Sequence, residues 1–158
     1  MQVLMRDESE WLKLLPIRAR AVYSAMCLAS YLRCKGIECV HSDSLVSALL
    51  KGCATQDVCD WNDEVCDIHS ECVDANPKHK EIYDCAVDAC LGNMFSGFTT
   101  EYTHTPLIAL YLIVRRLQCA PNLNELSLPA RNAADEWGEP CDLSCYLKAP
   151  GESIGGQT

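Results

Sequence analysis

Residues 59–74 read CDWNDEVCDIHSECVD, which packs three cysteines, one histidine and six carboxylates into one short stretch. Such side chains bind metals, form disulfides or move protons. A structural zinc site takes closely paired cysteines, as in C-x2-C, with a second pair further on. No such pairing occurs here. The nearest cysteine pairs in the chain are Cys34/Cys39, Cys85/Cys90 and Cys141/Cys145, with four, four and three residues between their members. The twelve cysteines are therefore expected to be buried, reduced thiols, with zinc ligation or structural disulfides as the alternatives. His69 reads as a half-buried or surface histidine, and His41, His79 and His104 are scattered at helix boundaries. No G-x-G-x-x-G, P-loop, H-E-x-x-H or G-x-S-x-G is present. The expectation is a binding module, without metal or cofactor, rather than an enzyme.

The elements that would position these residues are helices. In 57–74, Val58, Trp61, Val65, Ile68 and Cys72 fall on one arc at 100° per residue, and Asp60, Asp63, Glu64, Asp67, Glu71 and Asp74 lie opposite. The stretch is an amphipathic helix with a solvated acidic face, broken at most once. Residues 9–15 offer a Ser cap, a Trp11/Leu12/Leu15 stripe and a stop at Pro16. The following segment carries Val22, Met26, Ala29 and Leu32 at helical spacing, and Gly36 stands where a left-handed C-cap belongs. A third helix is expected from Ser42 or Asp43, with Leu45, Val46, Leu49 and Leu50 on its apolar side. Asn76-Pro77 opens another, with Tyr83, Val87, Cys90, Leu91 and Met94 as its apolar face and Gly97 at its close. Thr103 or Thr105 ahead of Pro106 would start the helix PLIALYLIVRRLQCA, whose first turns are apolar all round, as in a helix buried inside a bundle. Pro121 ends it, and 125–137 and 141–148 are shorter candidates.

Residues 1–150 thus read as a single all-α domain, a compact bundle of about seven helices around a central hydrophobic helix, with 151–158 a disordered polar tail. The net charge of −9 argues against binding nucleic acid or anionic membranes, which needs clustered Lys and Arg. The longest apolar run, LIALYLIV at 107–114, is far short of the roughly 20 residues that span a bilayer, and the start shows no secretory signal. A soluble, cytoplasmic protein is expected.

At three places the order of elements resembles the Bcl-2 family of apoptosis regulators. AVYSAMCLASYLRCKGIEC, with Tyr31 running into Lys35-Gly36-Ile37, looks like the family's first helix, its fourth homology region. ACLGNMFSGF, with Met94-Phe95 ahead of Gly97, is similar to the approach to the first homology region. PLIALYLIVRRLQC, closing on Cys119, resembles the central hydrophobic helix, and LVSALLKGCATQDV loosely matches the ligand-like third region. Together these cover about residues 20–120. His104-Thr105-Pro106-Leu107 stands in place of the family's Asn-Trp-Gly-Arg, whose Arg pairs with an Asp of the death-ligand helix; Arg115 and Arg116 lie more than two turns further on. Trp137-Gly138 is the only echo of the second homology region.

The resemblance implies a groove that holds the amphipathic Bcl-homology-3 helix of pro-apoptotic proteins and so inhibits apoptosis by stoichiometric binding. Position by position, Val58, Trp61 and Val65 would form one wall, Leu91, Met94 and Phe95 the other, and Leu107 and Ile108 the floor, Trp61 leading as an aromatic anchor. An empty groove exposes apolar surface, so a homodimer that covers it is part of the expectation. The implied location is cytoplasmic, at most peripheral to mitochondria, with no integral membrane segment. The rival reading is an unrelated acidic helical protein that inhibits or mimics a charged partner through its 57–74 face.

Overall fold

The structure, a computed structural model, describes residues 8–13, 15–91, 101–126 and 140–147. Seven α-helices lie among them: α1 (Glu8–Leu12), α2 (Ile17–Lys35), α3 (Val40–Leu50), α4 (Val58–Ala75), α5 (Lys80–Leu91), α6 (Glu101–Arg116) and α7 (Leu143–Tyr146). Single 3-10 turns occur at Lys51–Cys53, Pro77–His79 and Leu123–Glu125. The described residues contain no strand, only an isolated antiparallel bridge between Leu126 and Leu147. The expected all-α bundle is what the chain forms. Met94, Phe95, Gly97, Trp137, most of the 125–137 candidate and the tail lie outside the described residues.

The helix at the centre is α2. It packs against α3, α5 and α6, while α4 covers α3 and α5. Its first half is buried on every side, because Ala19, Ala21, Ser24 and Ala25 are small enough to let neighbours approach all round. Two arginines are buried there too. Arg20 is fully enclosed and donates from Nε to the Leu15 carbonyl at 2.9 Å and from Nη2 to the Lys13 carbonyl at 3.3 Å. Arg18 Nη1 donates to the carbonyls of Gly52 and Thr55 at 2.9 and 2.8 Å. These guanidiniums satisfy carbonyls at the end of α1 and after α3 that have no helical partner. The helix expected at the centre, α6, is instead one-sided. Leu107, Leu110, Tyr111 and Val114 are buried, Ile108 and Ile113 half-buried, and Leu112 is 39 % exposed.

Boundaries follow local chemistry. Pro16 does not merely stop α1; its carbonyl accepts the first α2 bond, from Arg20 N at 2.9 Å. Ser9 lies inside α1 rather than capping it, and Trp11 is 40 % exposed while Leu12 and Leu15 are buried. Gly36, at φ 67°, closes α2 with amide bonds from Gly36 to Arg33 O and from Ile37 to Leu32 O, the paired pattern of a left-handed C-terminal cap. The same pattern recurs after α6, from Gln118 to Arg115 O and Cys119 to Val114 O, with Gln118 at φ 62°. The N-cap of α3 is Cys39, three residues before Ser42, which is buried instead of capping the helix. Pro106 sits inside α6 rather than at its start.

Helix α4 runs unbroken for 18 residues from its N-cap Asp57, whose Oδ1 accepts from Asp60 N at 2.9 Å. Of its apolar arc, Trp61, Val65 and Cys72 are buried and Val58 and Ile68 half-buried. The described cysteines correct the expectation of uniformly buried thiols. Cys141 and Cys145 form a disulfide; Cys27, Cys53, Cys72 and Cys90 are buried; Cys34, Cys59 and Cys66 are exposed.

Candidate functional site

Two shallow troughs flank the C-terminal half of α2. The larger, about 560 Å³, lies between α2 and α3 and is lined by Ala29, Leu32, Arg33, Ile37 and Val46, with Glu38, Asp43 and Ser47 at its edge. The smaller, about 430 Å³, is lined by Met26, Ala29, Ser30, Arg33 and the segment Cys119–Pro121. Ala29 and Arg33 belong to both, so this part of α2 is a ridge with a recess on either side. Ala29, half-buried, and Ser30, buried, stand at helical spacing between Met26 and Arg33, so the side chains along this part of α2 are short. Arg33 is exposed and donates from Nη2 to Ser30 Oγ on its own helix at 3.2 Å.

The residues expected to form a groove are placed otherwise. Trp61, 2 % exposed, and Val65 are buried where α4 meets α3; Trp61 Nε1 donates to the Ala48 carbonyl at 2.8 Å. Leu91 and Leu107 are in the core, Val58 and Ile108 are half-buried, and Met94 and Phe95 lie outside the described residues. The fold brings Val58, Trp61 and Val65 together on α4, while Leu91 and Leu107 stand on α5 and α6, two helices that pack together. The trough residues were legible only as a helix face: Ala29, Leu32 and Val46 read as apolar positions at helical spacing.

A second polar cluster sits where α3 begins and α4 ends. The buried Ser42 Oγ is 2.7 Å from Tyr83 Oη, which also accepts from Asn76 Nδ2 at 3.4 Å. Cys72 Sγ donates to the His41 carbonyl at 3.1 Å. Burial pushes the Cys39 thiol up, yet the Ser42 amide and hydroxyl, the His41 amide and the Asn76 side chain together bring it below its ordinary value. Burial, reinforced by the charge of Cys39, raises the Cys72 thiol to about 12.

The acidic face of α4 is only partly neutralised. Lys51 Nζ meets Glu64 at 2.7 Å, and Asp84 on α5 bridges His69 Nε2 at 2.7 Å and Lys80 Nζ at 2.6 Å. Asp60 has no such relief, and the charge of Asp57, its hydrogen bond and the charge of Asp63 push the Asp60 carboxyl up. Among the described residues no three His, Cys, Asp or Glu side chains are grouped to hold a metal ion, and no helix is long and apolar enough to cross a membrane.

No family model, no curated protein and no solved structure matches this chain.

Proposed function

We propose that this chain is a non-catalytic binding protein that holds an amphipathic helix of a partner in the trough between α2 and α3. Following the resemblance, the partners are the death-ligand helices of pro-apoptotic proteins and the effect is inhibition of apoptosis. The observation that carries the reading is the character of the trough. The half-buried Ala29, Ile37 and Val46 offer apolar surface beside the buried Leu32, and the exposed Arg33 offers a cation to an acidic residue of the incoming helix. The volume is within the range of ordinary ligand sites. Glu38 and Asp43 at the rim favour a helix that also carries flanking basic residues. Tyr31-Leu32-Arg33-Cys34-Lys35-Gly36-Ile37, the stretch that resembles the family's first helix, supplies much of this lining. Because Trp61, Val65, Leu91 and Leu107 are interior, the docking position proposed is α2–α3 rather than the face of α4.

In this reading the protein works in the cytoplasm or at the mitochondrial surface, and a second copy can cover the same trough in the absence of a partner. Calorimetric titration of the reduced protein with a panel of pro-death helix peptides tests it. Binding is expected for at least one peptide and is expected to be lost when its central Leu becomes Ala or when Arg33 becomes Glu. Silence across the panel at tens of micromolar contradicts it.

A second reading has its own support in the unneutralised carboxylates around Asp60 on α4. An acidic surface of this kind suits a basic partner, and its binding would weaken steeply with salt, whereas helix capture in the trough would change little.

A further inference from the structure

We propose that the smaller trough, between α2 and the segment Cys119–Glu125, binds a small zwitterion with a short apolar body, the chemistry of an apolar dipeptide. The inference stands apart from the helix-capture reading, although Arg33 borders both troughs. The recess is about 430 Å³, within the range of small-molecule sites. Met26, Ala29 and Ala120, all half-buried, give it an apolar surface with room for a side chain of modest size. Arg33 brings a cation and Glu125 an anion, both exposed. Among the described residues neither charge pairs with the other or with any opposite charge. Two unpaired charges of opposite sign bordering one recess complement a ligand that carries both signs.

The Ser30 hydroxyl is a further, independent feature of the recess. Ser30 is 6 % exposed, and its Oγ accepts from Arg33 Nη2 at 3.2 Å. Among the described residues that hydroxyl donates to no protein acceptor. An enclosed donor is costly to leave without an acceptor, and a group bound in the recess supplies one. Ser30 and the remaining N–H groups of Arg33 stand on one turn of α2, and a carboxylate can accept from both. The other wall is fixed before a ligand arrives. Tyr23 Oη donates to the Pro121 carbonyl at 2.6 Å from inside the core. A capping box holds Glu125, whose Oε2 accepts from the Asn122 amide at 3.2 Å. That bond anchors one carboxylate oxygen and leaves Oε1 for the ligand's ammonium. Walls held in this way reduce the ordering cost of binding.

The test uses the whole chain, isotope-labelled and titrated with the dipeptide alanylleucine and with its carboxyl-amidated and amino-acetylated forms. Amide shifts are expected at Met26, Ser30 and Ala120, which border this recess and not the larger one. Each blocked form is expected to bind about two- to five-fold more weakly than the dipeptide, the range for exposed charge pairs. Glu125→Gln keeps an acceptor for the Asn122 amide, so the capping box survives while the charge is lost. That variant is expected to bind the dipeptide no better than the acetylated form. Ser30→Ala is expected to weaken the dipeptide and the acetylated form, which carry the carboxylate, and to leave the amidated form unchanged. Should either variant fail to fold, the three titrations of the unaltered chain decide alone. Shifts at Ile37 and Val46 in place of the expected set, no shifts with millimolar dipeptide, or blocked forms that bind as well as the dipeptide overturn the proposal.

Discussion

The Trp61 ring lies against Gly52, so close that a Cβ added to Gly52 would overlap Cζ2 and sit 2.6 Å from Cη2. The contact joins α4 to the turn after α3, and Trp61 Nε1 secures it through the Ala48 carbonyl. The ring is enclosed and cannot swing away, so Gly52→Ala is expected to destabilise by about 1–3 kcal/mol, the usual cost of overpacking. Trp61→Phe keeps much of the ring but removes the hydrogen bond to the Ala48 carbonyl, which retains the Lys51 amide, at a cost of about 0.5–1.5 kcal/mol. Urea unfolding measures both, and a neutral Gly52→Ala would show that the contact relaxes freely.

Gln118 holds a left-handed conformation that glycine adopts without steric cost. Gln118→Gly is expected to stabilise the fold by roughly 0.5–1 kcal/mol, the relief of strain exceeding the added freedom of the unfolded chain. The equivalent change at Gly36, to Ala, is expected to destabilise, since φ there is 67°. Thermal melts of the two variants should move in opposite directions.

Burial pushes the Asp84 carboxyl up, but hydrogen bonds from Lys80 and His69 outweigh it and leave the carboxyl below its ordinary value. A depressed folded value means that folding favours the ionised form. The contribution is therefore full above the unfolded value of about 3.9 and is lost as pH falls through the lower folded one. Asp88 on the same helix is raised, first by burial and then by the charge of Asp84, so its protonation acts in the opposite sense. Asp84→Asn is expected to melt earlier than wild type at pH 7, with the gap closing below about pH 4. A gap that persists in acid would assign the loss to packing.

Asp60 is in the first turn of α4, where a negative charge suits the helix dipole, but Asp57 and Asp63 crowd it. The upward direction of its carboxyl says that repulsion wins. Asp60→Asn is expected to raise the melting temperature in low salt and to lose that advantage near 1 M salt, where screening acts within about 3 Å. An equal gain at both salt concentrations would point away from charge.

How far these features could be read from the sequence depends on whether local chemistry decides them. Helix α4 was plain because its apolar and acidic residues separate cleanly by helical period. Gly36 likewise marked its cap, since few residues tolerate that conformation. Cys39 was missed as the α3 cap because Ser42 and Asp43 are better caps locally, and only the contact with Tyr83 shows why Ser42 is drawn inward. Nothing in the sequence pattern marks Arg18 and Arg20 for burial; carbonyls brought by other elements hold them there. Apolar content alone favoured α6 as the central helix. What centred α2 is small side-chain size, a property of packing that hydrophobicity does not report. The trough was hidden for the same reason, because a recess arises from how α2 and α3 meet rather than from any residue in it.

The most direct test of helix capture is the amide spectrum of isotope-labelled protein titrated with a pro-death helix peptide. Shifts are predicted at Ala29, Leu32, Arg33, Ile37 and Val46, weakened only in part by added salt and diminished by Arg33→Glu. Shifts confined to Asp57–Asp74 that fade with salt, or none at all, would contradict the account.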